Sequence, residues 1–169
     1  MRKVILNLAV SLDGFIEGPN GEYDWCFTDQ DYNMTEFFKR TDAIFFGRKS
    51  YELLMRTEDN PYPEMAKYVF SRTLHDLDGA TLISNNIKES VKEIKSQNGK
   101  DIWLFGGAKL VTDFMNFGLV DELMLSIHPI LLGSGTPLFT NINNRIPLVL
   151  TNSQTFSTGL VQLLYKLSQ

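Results

Sequence analysis

Gly47-Arg48-Lys49-Ser50, Ser71-Arg72-Thr73 and Gly106-Gly107 each follow a short apolar run, and each carries residues suited to holding phosphate. An arginine guanidinium pairs bidentately with phosphate oxygens. Glycines at a strand-to-helix turn let the backbone approach a ligand without a Cβ in the way. They also leave the first N–H groups of the helix facing whatever anion sits there. Gly106-Gly107 alone reads equally well as a tight connection. It is neither a Gly-x-Gly-x-x-Gly turn nor a Walker loop. Taken with the two arginine turns, it suits a ligand with more than one phosphate, such as a dinucleotide.

Groups able to move a proton are few. Asp13 is a carboxylate close to the end of the first apolar run, although Asp13-Gly14 is also ordinary turn chemistry. His128 falls on the same side of its run as Ser126, where a satisfied strand histidine is the commoner outcome. Glu36 stands beside two phenylalanines, a pattern that fits a solvent-facing helix position. Trp25, in a long glycine-containing loop, is either an anchor for that loop or a ligand wall. Neither a metal-ligand cluster nor a Ser/His/Asp order is visible, so no metal is expected.

The elements that position these residues follow from periodicity. Residues 3–10 form a first strand, with Val4, Leu6, Leu8 and Val10 on one face and Ile5, Asn7 and Ala9 on the other. A strand apolar on both faces is usually central and covered on both sides. Residues 11–28 form a loop long enough to act as a lid. A helix over 30–39, a strand over 43–46, a helix over 51–55, a loop over 56–65, and strands over 68–70 and 80–84 follow. Asn86 with Glu89 matches a capping box for the next helix. Residues 101–128 then read as strand, glycine turn, helix and strand, with Leu110, Val111, Phe114 and Met115 inward and Lys109, Thr112, Asp113 and Asn116 outward. Residues 148–156 and 160–167 form a hairpin across Ser157-Thr158-Gly159. The expected class is α/β, with a mixed, mainly parallel sheet of about eight strands in three layers and an antiparallel C-terminal hairpin.

Composition narrows the function. A chain of 169 residues with 43% hydrophobic and 21% charged residues reads as a single domain over 1–169 with a substantial core. Its net charge of −4 argues against nonspecific nucleic-acid binding. Cys26 is the sole cysteine, so no internal disulfide can form and a reducing, cytoplasmic home is expected. Asn7 breaks the N-terminal apolar run and no small-residue cleavage site follows, so the start reads as a strand rather than a signal peptide. No stretch reaches transmembrane length, and no membrane partner is expected. The apolar Pro129-Ile130-Leu131-Leu132 beside an apolar final strand points to a homodimer.

These motifs, in this order and spacing, resemble the dihydrofolate-reductase-like fold, and within it the riboflavin-biosynthesis reductase family. The resemblance spans nearly the whole chain. It rests on Ser11-Leu12-Asp13-Gly14, the two arginine turns, Phe105-Gly106-Gly107, and Val120-Asp121-Glu122-Leu123 followed by residues 129–139 with their Leu-Gly-Ser-Gly. It implies NADPH as cofactor. By position, Gly47, Arg48 and Ser50 resemble the turn on the adenosine phosphates, and Ser71 and Arg72 the turn on the 2′-phosphate. Gly106, Gly107, Ala108 and Lys109 resemble the helix start on the pyrophosphate. Ala9 and Ile16 match backbone contacts to the nicotinamide carboxamide, and residues 13–25 match the mobile loop that closes over it. Asp13 is then the nearest candidate acid, and Trp25, Glu36 and Ser126 are candidate substrate contacts.

The match departs from folate reductases at the carboxylate on their first helix. That position falls on Met34 or Gln30 here, neither of them acidic. A tyrosine after the glycine pair is Val111, and a threonine on the following strand is Ser126. The expectation is therefore an NADPH-dependent reductase of a small heterocyclic or ribosylamino-pyrimidine substrate, resembling 5-amino-6-(5-phosphoribosylamino)uracil reductase. The alternatives are a pteridine or small-carbonyl reductase on the same fold, and a non-catalytic nucleotide-binding module.

Overall fold

The computed structural model describes residues 1–57, 60–75, 77 and 79–168. Ten strands and four helices alternate along them. The order is β1 (Val4–Ser11), β2 (Phe15–Glu17), α1 (Met34–Arg40), β3 (Thr41–Gly47), α2 (Arg48–Thr57), β4 (Ala66–Phe70), β5 (Thr81–Ile83), α3 (Ile87–Ser96), β6 (Asp101–Gly106), α4 (Ala108–Asn116), β7 (Glu122–His128), β8 (Thr136–Pro137), β9 (Leu148–Thr155) and β10 (Val161–Leu167). Eight strands form one sheet in the order β5-β4-β3-β6-β1-β7-β10-β9, and β2 pairs with β8 apart from it. Neighbours from β5 through β7 are parallel, whereas β10 is antiparallel to both β7 and β9.

The period-two pattern of β1 decides the layering. Val4, Leu6 and Val10 join one core with Val91 and Ile94 of α3 and Leu110, Val111, Phe114 and Met115 of α4. Ile5 faces the other core, with Phe37 of α1 and Tyr51 of α2. Helices thus cover both faces of a central strand, as a doubly apolar β1 requires. Phe45, Phe70 and Phe114 meet edge to face with centroids 5.1–5.7 Å apart. Each such pair contributes about 0.5–1.5 kcal/mol beyond area burial. Together they lock the ends of β3 and β4 against α4.

Several expected elements shift. Helix α1 starts at Met34 rather than residue 30, because Tyr32 and Asn33 hold left-handed φ of 47° and 64°. Asp31 Oδ1 instead accepts the Thr35 N–H at 2.9 Å. Helix α2 runs from Arg48 to Thr57, so the first arginine turn is itself helical and Arg56 is not loop. Asn86 does not close a capping box, since its φ of 49° and ψ of 45° turn it left-handed and its side chain makes no cap bond. Thr112, expected outward on α4, is buried and donates its hydroxyl to the Thr140 carbonyl at 3.1 Å. The β2–β8 pair falls inside what read as unbroken loop. These strands are two and three residues long, too short for a period to register.

Candidate functional site

Strands β4, β3 and β6 are consecutive neighbours and parallel, so the turns that leave them emerge at one edge of the sheet. That edge carries Gly47, Ser71 and Gly106. Ligands of open α/β sheets bind outside the carboxyl ends of the strands.

The glycines there are steric requirements. A Cβ on Gly47 would lie 3.4 Å from both the Gly106 carbonyl oxygen and the Gly107 nitrogen, so β3 and β6 pack backbone to backbone. Gly106 has φ of +112°, a conformation closed to L side chains. A Cβ on Gly107 would stand 3.3 Å from Ser50 Oγ, in the space between the starts of α2 and α4. Gly107 is the N-cap of α4 and offers no side-chain cap; its carbonyl accepts the Val111 N–H at 3.0 Å. The amides of Ala108, Lys109 and Leu110 therefore precede the first helical bond, and Lys109 is exposed beside them. This is the donor arrangement that holds a pyrophosphate.

The second turn is held by hydrogen bonds at Ser71. Ser71 Oγ accepts the N–H groups of Thr73 and Leu74, both at 3.2 Å, while Ser71 N–H donates to Ile83 at 3.1 Å. Its hydroxyl shapes the turn, and exposed Arg72 projects from it. Arg72, Leu74, His75, Leu82, Ser84 and Asn85 line a depression of about 350 Å³. Arg48 Nη1 lies 3.5 Å from Glu52 in a half-exposed i,i+4 pair. Among the described residues, Arg72 and Lys109 have no carboxylate partner. The opposite edge of the sheet differs, for Arg40 meets Asp101 at 2.7 Å and Glu122 at 3.0 Å, and Lys3 meets Glu122 at 2.7 Å. Cations without a carboxylate partner among the described residues stand at the glycine edge, and the residues fit an adenosine phosphate and a pyrophosphate side by side.

The third part of the site lies along β1 and β7. Asn7 pairs with Met124, Ala9 with Ser126 and Ser11 with His128. In parallel strands, paired residues share a face, so these six form a strip on the α1 side. Half-buried Ala9 lies at the C-terminal half of β1, and Ile16 of β2 packs against the core at the loop's base. Trp25 rests edge-on against His128 with centroids 5.3 Å apart. His128 Nε2 accepts the Phe27 N–H at 3.1 Å, and Nδ1 lies 2.9 Å from the Ser126 carbonyl oxygen. Nδ1 is then the protonated nitrogen, and both ring atoms are occupied. Burial pushes the His128 pKa below the ordinary histidine value, only partly offset by the Ser126 carbonyl. Burial also raises the Cys26 thiol to about 11, which leaves it protonated and inert at neutral pH.

Asp13 serves a turn. Its carboxylate accepts from Ser11 Oγ at 2.6 Å, Leu132 N–H at 3.1 Å and Gly133 N–H at 2.8 Å. These bonds, the Ser11 hydroxyl first, hold its pKa below the usual carboxylate range. At neutral pH it carries no proton to give. Glu36 lies apart from the strip, with its side chain 73% exposed and paired to Lys39 at 2.6 Å. Ser126 Oγ accepts from Gln162 Nε2 at 3.3 Å. Gln162, 1% exposed, also donates to the Tyr32 carbonyl at 3.2 Å and accepts from Asn33 Nδ2 at 2.8 Å. This buried amide network was not anticipated from sequence. Its signal was a polar residue at an inward position of an apolar strand, Gln162 on β10. The residues around Arg72, namely His75, Leu82, Ser84 and Asn85, were missed because the short strand β5 brings them there only in the fold.

The chain belongs to the RibD C-terminal domain family, which residues 2–162 match. It is 50% identical to the uncharacterized protein YyaP of Bacillus subtilis (strain 168), with 97% of this chain and 94% of that protein covered. The crystal structure of a Shewanella sp. PV-4 protein, provisionally assigned to riboflavin biosynthesis, superposes with a TM-score of 0.89 at 24% identity, covering 99% of both chains. Dihydrofolate reductase from Enterococcus faecalis, solved with NADP(H), superposes at 0.71 and 16% identity over 99% of this chain and 97% of its own. The fold is therefore dihydrofolate-reductase-like. Among the described residues no helix is long and apolar enough to cross a membrane.

Proposed function

We propose that residues 1–169 act as one domain, a cytoplasmic NADPH-dependent reductase of a small heterocyclic or ribosylamino-pyrimidine substrate. The observation that carries this reading is the adjacency of the turns after β4, β3 and β6 at one sheet edge, with cations that have no carboxylate partner among the described residues and a helix start without a side-chain cap. Gly47, Arg48 and Ser50 would hold the adenosine phosphates, Ser71 and Arg72 the 2′-phosphate, and Gly106, Gly107, Ala108 and Lys109 the pyrophosphate. Bound NADPH supplies a hydride to the substrate. Ala9 and Ile16 would present backbone groups to the nicotinamide end. Trp25 and Ser126 would flank the substrate, and the strapped loop would exclude water.

Asp13 acts as a positioning residue in this reading, since it ties the turn after β1 to Leu132 and Gly133. The proton comes from a hydroxyl or from water ordered against Ser126. Folate reduction is disfavoured on α1. Met34 turns its sulfur to Asn7, Asp31 is bonded to Thr35, and Glu36 is in solvent.

The protein works as a homodimer through β9. That strand is paired on one side only, all eight of its residues are exposed, and none is charged. Such an edge invites a second copy. Of the run expected to supply the interface with the final strand, Pro129-Ile130-Leu131-Leu132, Leu131 is exposed, and that final strand, β10, lies between β7 and β9.

The reading is tested by mixing protein and NADPH with ribosylamino-pyrimidines, dihydropteridines and small carbonyls, and following reduced-nicotinamide absorbance. Consumption with a ribosylamino-pyrimidine supports it. NADPH binding without consumption by any candidate contradicts the catalytic part.

A further inference from the structure

The chain distributes its cations unevenly. Residues 4–38 hold seven carboxylates and neither a lysine nor an arginine. Residues 123–144 and 146–165 hold no lysine, arginine, aspartate or glutamate. These stretches supply the strip on β1 and β7, the loop strapped over His128, and the C-terminal hairpin on which that loop rests. The cations that border them are engaged or point elsewhere. Lys39 pairs with Glu36, and Arg40 with Asp101 and Glu122 at the opposite edge of the sheet. Lys166 lies across from Glu122 at that same edge. Buried Lys67 donates to the Tyr62 and Met65 carbonyls. On α2, Lys49 and Arg56 fall opposite Tyr51, Leu54 and Met55, the side chains that pack inward. Arg145 separates Ile142 and Ile146, which pack on the α3 and α4 side of the sheet. His128 is neutral with both ring nitrogens occupied, and the buried donor left over beside it, Trp25 Nε1, is a single uncharged N–H. The glycine edge, with Arg48, Lys49, Arg72 and Lys109, is the reverse.

We infer that the molecule reduced at this site carries no phosphate: the strip takes an uncharged ring, with or without a sugar, and rejects the phosphorylated form. The inference rests on the reductase reading and adds the charge of the substrate. A phosphate monoester carries close to two negative charges near neutral pH. Brought against the strip, it would lose water and gain neither guanidinium nor ammonium in return. The exposed loop residues Glu22, Asp24, Asp29 and Asp31 also oppose its approach, through a field that reaches about 10 Å at 0.1 M salt. The cofactor escapes this penalty because its phosphates belong to the glycine edge. The two ends of the site thus sort their ligands by charge, anionic at the cofactor end and uncharged at the substrate end.

The test compares 5-amino-6-ribosylaminouracil with its 5′-phosphate, each offered to protein saturated with NADPH, from low salt to 0.5 M. The unphosphorylated compound is expected to have the higher kcat/KM, by about tenfold or more at low salt, and the gap should narrow as salt screens the loop. Asp24→Lys places a cation on the exposed loop. It should raise kcat/KM for the phosphorylated compound about threefold and leave the other within about twofold. Preference for the phosphorylated compound, equal use of both at low salt, or a phosphorylated-substrate kcat/KM that falls as salt rises would overturn the inference and leave the reductase reading intact. If neither is turned over, calorimetric binding of the same pair to the NADPH complex decides the charge preference by the same ordering, while the catalytic part of the reductase reading fails by itself. Absence of both turnover and binding removes the ribosylamino reading and this inference with it.

Discussion

Arg72 and His128 make opposite uses of their surroundings. Arg72 projects into solvent beside a shallow depression and has no carboxylate partner among the described residues. In the proposed reading it meets the phosphate that NADPH carries and NADH lacks. A hydrogen bond to a charged group is worth about 1.5–3 kcal/mol, less where solvent screens it. Arg72→Ala should therefore weaken NADPH about tenfold and leave NADH nearly unchanged, as fluorescence titration with each cofactor would report. His128 is 3% exposed and neutral, with Nε2 as acceptor for the loop amide of Phe27. Its folded pKa lies below its unfolded one, so the unfolded chain takes up the proton more readily. The stability it contributes is complete above the unfolded value near 6.5 and is lost as pH falls through the lower folded value. Protonated Nε2 would also release Phe27. Melting temperature should fall as pH drops from about 7 to about 5, and His128→Phe should flatten that part of the curve. An unchanged slope in the variant would assign the acid sensitivity elsewhere.

At the scale of elements, the proposed reading makes both NADPH and NADH depend on the glycine-led start of α4. Gly107→Val places a branched side chain against Ser50 Oγ, which already lies 3.3 Å from where a Cβ would be. Because pyrophosphate is common to NADPH and NADH, both should weaken by about the same factor, which the same titrations would show. A loss confined to one cofactor would mean that α4 does not hold the shared group. The elements legible in sequence were those with long, strict periods. β1 announced its two faces, α4 its buried stripe of Leu110, Val111, Phe114 and Met115, and β9–β10 their hairpin, closed by Gly159 at φ of +87°. Backbone conformation hid the rest. Asn33 and Asn86 look like helix starters by residue type, but both sit left-handed, where the side chain makes no cap bond. The β2–β8 pair depends on Gly135, whose Cβ would come 2.1 Å from the Glu17 oxygen, a contact between residues far apart in sequence. The glycine and arginine turns could be read locally, whereas the amide network of Asn33, Gln154 and Gln162 joins α1's entry to the C-terminal hairpin and leaves one local trace, the inward Gln162 of β10.

At the scale of the whole molecule, the sheet has one edge spent on structure and one left open. Ion pairs tie together the N-terminal ends of the central strands, and the glycine turns free the C-terminal ends. β9 closes neither, and its Leu148, Val149 and Leu150 are 40–53% exposed on an unpaired flank. Light scattering should give twice the chain mass for the wild type and the single mass for Val149→Lys, because a buried lysine blocks strand pairing. A wild-type monomer at working concentration would refute the dimer without touching the proposed cofactor site. That site is tested most directly by the dissociation constants of NADPH and NADH for the wild-type protein, measured side by side at low salt. The phosphate turns require NADPH to bind at least about tenfold tighter. Equal affinities, or no binding of either, would contradict the assignment of the glycine edge to this cofactor.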